Sequence, residues 1–187
     1  MDSQSHPWAA AFPLHAATLC RRTALPFTQV GQSAVLNEVL TLWEDRRRGR
    51  TMPSRADCDA PDFSRAVLPK LGLIEVEHAP LRFRYRLTGT AVDEAHGANM
   101  TGMYVEDVAR VFMRDDLQPD LEALVDRKVP QLVLLQCTNI HQYHRRHYVL
   151  RLPLSGDGPD ADPLRVDRIL VAFEQAEPIE RAVFTND

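Results

Sequence analysis

No stretch of the 187-residue sequence approaches the ~20 consecutive apolar residues that a membrane-spanning helix requires, so no membrane partner is expected. Cysteine is scarce. Cys20, Cys58 and Cys137 are odd in number, far apart and without CxxC spacing, which predicts neither a disulfide framework nor a thiolate zinc site and fits a reducing, cytoplasmic setting. An excess of positive charge is also missing: 22 Lys+Arg against 26 Asp+Glu leave a net charge of -4, which excludes a surface that neutralises phosphate along its length, and no nucleic-acid partner is expected. There is no nucleophile elbow, no phosphate-cradling glycine loop and no HExxH pair, so no catalytic residue and no metal ligand is assigned. Residues 8–20 (WAAAFPLHAATLC) imitate an export signal, but Asp2 replaces the basic start, Pro13 and His15 interrupt the apolar run, and Arg21-Arg22 follow it.

What is present suits one packed domain: hydrophobic residues make up 44% and charged residues 26%. Residues 1–32 are nearly free of charge and carry Trp8, Phe12, Leu14, Leu19 and Phe27, which predicts an arm lying across the domain or a partner. Residues 33–50 form an amphipathic helix. Ser33 is its N-cap, Val35, Leu36, Val39, Leu40 and Trp43 are its apolar face, and Arg46–Arg48 with Gly49 form its end. Residues 51–176 are the main domain and 177–187 a tail. Within the domain a short helix is predicted from about Asp59 to Leu68, then strands over 71–77 and 81–87. Thr90 with Asp93 reads as a capping-box variant opening a short helix that Gly97 closes, and 105–112 is another helical turn. A longer helix, capped by Asp115-Asp116, reaches Lys128, and three strands follow over 131–140, 145–154 and 165–175. Two strands, a helical crossing and three strands describe an α+β domain with one five-stranded antiparallel sheet and helices on one face, preceded by the amphipathic helix.

That order, with Pro53-Ser54-Arg55-Ala56-Asp57 after the Trp43 helix, Leu68-Pro69, Ile74-Glu75-Val76, the run Phe83-Arg84-Tyr85-Arg86-Leu87-Thr88-Gly89-Thr90, then Gly97 and Thr101-Gly102, resembles a bacterial family of small PAS-like proteins. The resemblance covers residues 35–176. It implies a non-enzymatic sensory or adaptor module: a sheet gripping a small cavity against short helices, a possible small-molecule ligand, and a signal leaving through contacts with a protein partner. The alternative from another class is a small enzyme of cone-like α+β type using a cavity Asp, Tyr or His.

Cofactor chemistry known in PAS domains finds no counterpart. The adduct-forming cysteine of a flavin photoreceptor would fall on Val105 or Met100, neither of which has a thiol. The segment 115–128 offers no histidine for a haem, and His96 is the nearest substitute, so no cofactor is assigned. His141, His144 and His147 would meet at a metal only if a tight turn fell between them.

The cavity is predicted to be lined by Phe83, Tyr85 and Leu87 of the second strand and by Tyr104, Val108 and Phe112 of the short helical region. Leu117 and Leu121 of the longer helix and Tyr148, Leu150, Ile169, Val171 and Phe173 of the late strands complete it, with His96, Tyr85 and Tyr104 orienting a ligand. A homodimer is expected through Val35, Leu36, Val39, Leu40 and Trp43, because one helix cannot cover a whole sheet face.

Overall fold

The computed structural model describes residues 17–107, 111–139, 143–176 and 180–181. Seven strands form one sheet: β1 (Ala17–Ala24), β2 (Leu71–His78), β3 (Leu81–Thr88), β4 (Gln131–Asn139), β5 (Tyr143–Leu154), β6 (Arg168–Gln175) and β7 (Glu180–Arg181). Their order is β1-β4-β5-β6-β2-β3, with β7 paired to β5, and each pairing is antiparallel. The α-helices are α1 (Ala34–Arg47), α2 (Thr90–His96) and α3 (Val111–Arg127). The fold is α+β and PAS-like. The five expected strands are β2 to β6, and residues 17–24 of the arm add β1 at the edge of the sheet.

Cross-strand partners share a face, so the register separates the two sides of the sheet. One row runs Arg151↔Val171↔Gly72, and its neighbour runs Val133↔Val149↔Phe173. This side meets α2 through Val92 and Ala95 and meets α3 through Leu117 and Asp120. The other side carries Leu150↔Ala172↔Leu71 and packs against α1. Helix α1 forms because Leu36, Val39 and Trp43 recur at helical spacing and all three are buried. Ser33 Oγ accepts from the Leu36 N–H at 3.2 Å as its cap. Trp43 Nε1 donates to the Pro153 carbonyl at 2.8 Å. Pro153 lies beyond the start of β4, where β5 is flanked by β6, so its missing N–H opens no gap on the β4 side.

The two motif blocks hold the frame together. In the first, Ser54 and Asp57 form a capping box: the Ser54 N–H and Oγ each donate to Asp57 Oδ2 at 2.9 Å. Burial raises the Asp57 carboxyl, but hydrogen bonds from Arg50 and Ser54 outweigh it and bring it down to about 2. In the second, Gly89 is obligatory by close approach, since a Cβ there would stand 2.3 Å from the Pro69 carbonyl oxygen. Thr88 Oγ1 donates to Asp93 Oδ1 at 2.6 Å and lies 3.1 Å from Thr101 Oγ1, tying the end of β3 to α2 and the following loop.

Several local expectations change. Gly89, not Thr90, is the N-cap of α2, because Asp93 is engaged by Thr88 and the Met100 N–H. Between Asp59 and Leu68 the chain makes only the 3-10 turns Ala60–Asp62 and, at the end, Leu68–Lys70. Helix α3 begins at Val111, a turn before the Asp115-Asp116 cap, and contains Pro119. Cys20 and Cys137 face each other across β1 and β4 and form a disulfide, which corrects the expectation of unpaired cysteines; Cys58 is free and buried. Sequence spacing could not show this pairing, because 117 residues separate the two. Residues 1–16, 108–110, 140–142, 177–179 and 182–187 lie outside the description. Among the described residues no helix is long and apolar enough to cross a membrane.

Candidate ligand cavity

Between the sheet and helices α2 and α3 lies a cavity of about 70 Å³. Gly72 and Ile74 of β2, Tyr85 and Thr88 of β3, and Val171 and Phe173 of β6 supply one part of its wall. Val149 and Arg151 of β5, Leu135 of β4, Val92 and His96 of α2, and Leu117 of α3 complete it. Of the residues expected here, Tyr85, His96, Leu117, Val171 and Phe173 are brought together.

The others go elsewhere for identifiable reasons. A β-bulge in β3 opposite Leu73 and Ile74 reverses the alternation after Tyr85, so Leu87 turns outward and is 54% exposed while Thr88 takes the inward place. Tyr148 and Leu150 belong to the α1 side of β5; Tyr148 lines an open cleft of about 300 Å³ near Val35, Lys70 and Glu174. Phe83, Leu121 and Ile169 are buried in the core without lining the cavity. Tyr104 stands at the outer edge of β3, donating to Glu77 Oε1 at 2.9 Å beneath the Arg82 guanidinium, 3.6 Å from its ring centroid. Val108 lies outside the described residues, as does the side chain of Phe112. Val105 and Met100 are buried core residues.

The helix face assigned to a second copy is largely buried within the chain itself: Leu36, Val39 and Trp43 are covered by the sheet, and Val35 and Leu40 pack partly against the same core. His141 and the side chain of His144 lie outside the described residues. Among those described, no group of three or more His, Cys, Asp or Glu is placed to hold a metal.

The polar side of the cavity is built on Arg151, which is not among the residues expected there. It is 7% exposed, and its Nη1 donates to Asp120 Oδ2 at 2.7 Å and to Gln131 Oε1 at 3.2 Å. Gln131 Nε2 in turn donates to the Asp120 carbonyl at 2.8 Å. Arg22 of β1 grips the same carboxylate through Nε and Nη2, so one buried aspartate holds two guanidinium groups. Burial lowers the Arg151 guanidinium from its ordinary value, against the hydrogen bond and charge of Asp120. A signal for this residue did exist: a lone cation inside the apolar run Tyr148-Val149-Leu150-Arg151-Leu152 is rarely buried unless it is paired.

Next to the cavity, His147 is 1% exposed and stacks on Phe173 with ring centroids 4.3 Å apart. Neither ring nitrogen has a hydrogen-bond partner among the described residues. Burial, then the charge of Arg145 and the neighbouring His96, brings its imidazole down to about 3. His96 is lowered too, mainly by burial, and its Nδ1 donates to the Val92 carbonyl at 2.8 Å. Burial pushes the Tyr85 hydroxyl up to about 12, so it keeps its proton at neutral pH.

An antiparallel sheet closing a small, mostly apolar chamber beneath short helices, with a few buried polar groups at one end, defines a sensory-module type of α+β domain. The chain belongs to the PAS domain family, whose sequence model matches residues 32–166. No curated protein and no solved structure matches the chain significantly.

Proposed function

We infer that the protein is a non-enzymatic sensory or adaptor module that receives a small molecule in the cavity and passes its state to a protein partner by contact. The observation that carries this reading is the cavity itself: apolar walls around a few convergent polar groups, placed between the sheet and the two helices of the family fold. The alternative, an enzyme with a carboxylate and tyrosine pair, draws less support. Among the described residues no carboxylate lines the cavity, and Tyr85 is held far from a pKa suited to proton transfer near neutrality.

Native mass spectrometry of the full chain from its own host, beside a Leu117→Trp variant that fills the cavity, tests this reading. A small bound mass in the wild type that is absent from the folded variant is the expected result. Bare protein in both, together with no thermal shift from any small fragment, would overturn it.

A further inference from the structure

The donors around the cavity do not match the acceptors that the protein supplies. A guanidinium carries five N–H groups in a rigid fork. All the hydrogen bonds of Arg151 to described residues leave from Nη1, so Nε and Nη2 have no acceptor among them. The Tyr85 hydroxyl, buried on β3 and within electrostatic reach of Arg151, also makes no hydrogen bond to a described residue. Both residues line the cavity, and these donors border its space instead of being sealed in protein, so they are open to an acceptor that enters from outside.

Charge points the same way. The groups felt at Arg151 are Asp120, Tyr85 and Arg22. Since Tyr85 is neutral and two guanidinium groups share the single Asp120 carboxylate, the cluster keeps one positive charge. Asp93, the other carboxylate near the wall, is committed to the Thr88 hydroxyl at 2.6 Å. Away from Arg151 and Tyr85 the wall is mostly apolar, with Ile74, Leu117, Leu135, Val149, Val171 and Phe173, while the Thr88 hydroxyl donates to Asp93 and His96 Nδ1 donates to the Val92 carbonyl.

We propose that the cavity selects a small organic monoanion, a short-chain carboxylate whose oxygens accept from Arg151 and Tyr85 while its alkyl end lies against the apolar wall. A carboxylate matches the planar fork of the guanidinium and supplies one negative charge. A tetrahedral oxyanion such as phosphate would set further oxygens against Ile74 and Val149, without donors to meet them. Size sets the chain length: 70 Å³ is about half the ~150 Å³ of a dry cavity that takes benzene, which leaves room for about two to four carbons.

This inference rests on the cavity being the ligand site, and the test separates the two. Binding of propionate and butyrate to the full chain is measured by calorimetry at constant ionic strength, beside propionamide, 1-propanol and inorganic phosphate, with pressurised xenon as a neutral probe of the space. Propionate should bind at least tenfold more tightly than propionamide, and phosphate should not compete. Arg151→Met should weaken propionate at least tenfold, and the milder Tyr85→Phe about threefold to tenfold, with propionamide and 1-propanol, which lack the charge, weakened less. Amide binding as tight as carboxylate, stronger binding of phosphate, or full propionate affinity in folded Tyr85→Phe and Arg151→Met would overturn the anion preference and leave the ligand-site reading standing. Exclusion of every probe, xenon included, would overturn both.

Discussion

His147 and Phe173, on adjacent strands β5 and β6, lie ring on ring at 4.3 Å in the space that α2 closes. The stack buries an imidazole whose two nitrogens find no partner among the described residues. The neutral form is therefore the one that the fold accepts. Above pH 6.5 the histidine is neutral whether folded or unfolded. As pH falls below 6.5 the unfolded chain binds a proton that the folded chain refuses until about pH 3, so stability is lost across that interval.

The first prediction is an acid sensitivity with a single dominant source. Stability should fall by up to about 1.4 kcal/mol per pH unit below 6.5, with His96 adding to the same direction. His147→Leu should reduce this dependence between pH 6.5 and 5, because an apolar side chain leaves no nitrogen to protonate, with the share of His96 remaining. The lowered carboxyls Asp57, Asp59 and Glu75 add a loss in the same direction that sets in mainly below pH 5, so the comparison is made between pH 7 and pH 5. Urea midpoints at pH 7 and pH 5 check it, and equal pH dependence in wild type and variant would count against the assignment.

Asp120 should be among the least replaceable polar residues. Asp120→Asn leaves Arg151 buried without its counter-charge, which is expected to cost about 3–5 kcal/mol. Adding Arg151→Met to Asp120→Asn should restore much of the loss, since Arg22 is partly exposed and can be solvated. A double-mutant cycle by chemical denaturation gives the coupling. Additive effects would show that the two side chains act independently.

Two glycines should respond oppositely to the same change. At Gly72 a Cβ would meet the Leu87 carbonyl oxygen at 3.6 Å and Val171 Cβ at 3.7 Å, ordinary contacts inside a strand. Gly72→Ala should stabilise by about 0.5–1 kcal/mol while reducing the cavity. At Gly89 the same atom collides with backbone, and Gly89→Ala should destabilise by about 2–3 kcal/mol. Thermal melts of the two variants side by side test both signs at once.

The Cys20–Cys137 bridge closes a loop across 117 residues of sequence, for which a stabilisation of about 2–5 kcal/mol is expected. Reductant should lower the melting temperature of the wild type and leave a Cys20→Ser, Cys137→Ser variant unaffected. Hydrogen exchange should then rise first in β1, the edge strand that Cys137 and Asp120 hold in place. Equal melting in both redox states would remove the bridge from the stability of the fold.

The frame was legible in the sequence where spacing is local. Helical recurrence gave Leu36, Val39 and Trp43, and strand alternation gave Phe83 and Tyr85. Legibility failed where the decisive neighbour is distant. The bulge that turns Leu87 outward depends on pairing with β2, and the face occupied by Arg151 depends on its register with Val171 and Gln131. A one-residue error in strand phase exchanges the two sides of a sheet, which is why Tyr148 and Leu150 were expected in the cavity where Val149 and Arg151 stand. The strand β1 was hidden by another cause: Ala17–Ala24 has no clear apolar alternation and gains its place from β4.

The hydrogen bond from Trp43 to the Pro153 carbonyl ends two residues along β5 from Arg151, on the helix side of a sheet one layer thick. An indole ring held by a single polar contact shifts its emission when that contact lengthens or turns. With Trp8 replaced, the chain therefore contains its own optical gauge: a small displacement of β5 caused by events on one side is expected to shift the Trp43 emission on the other, with no label attached.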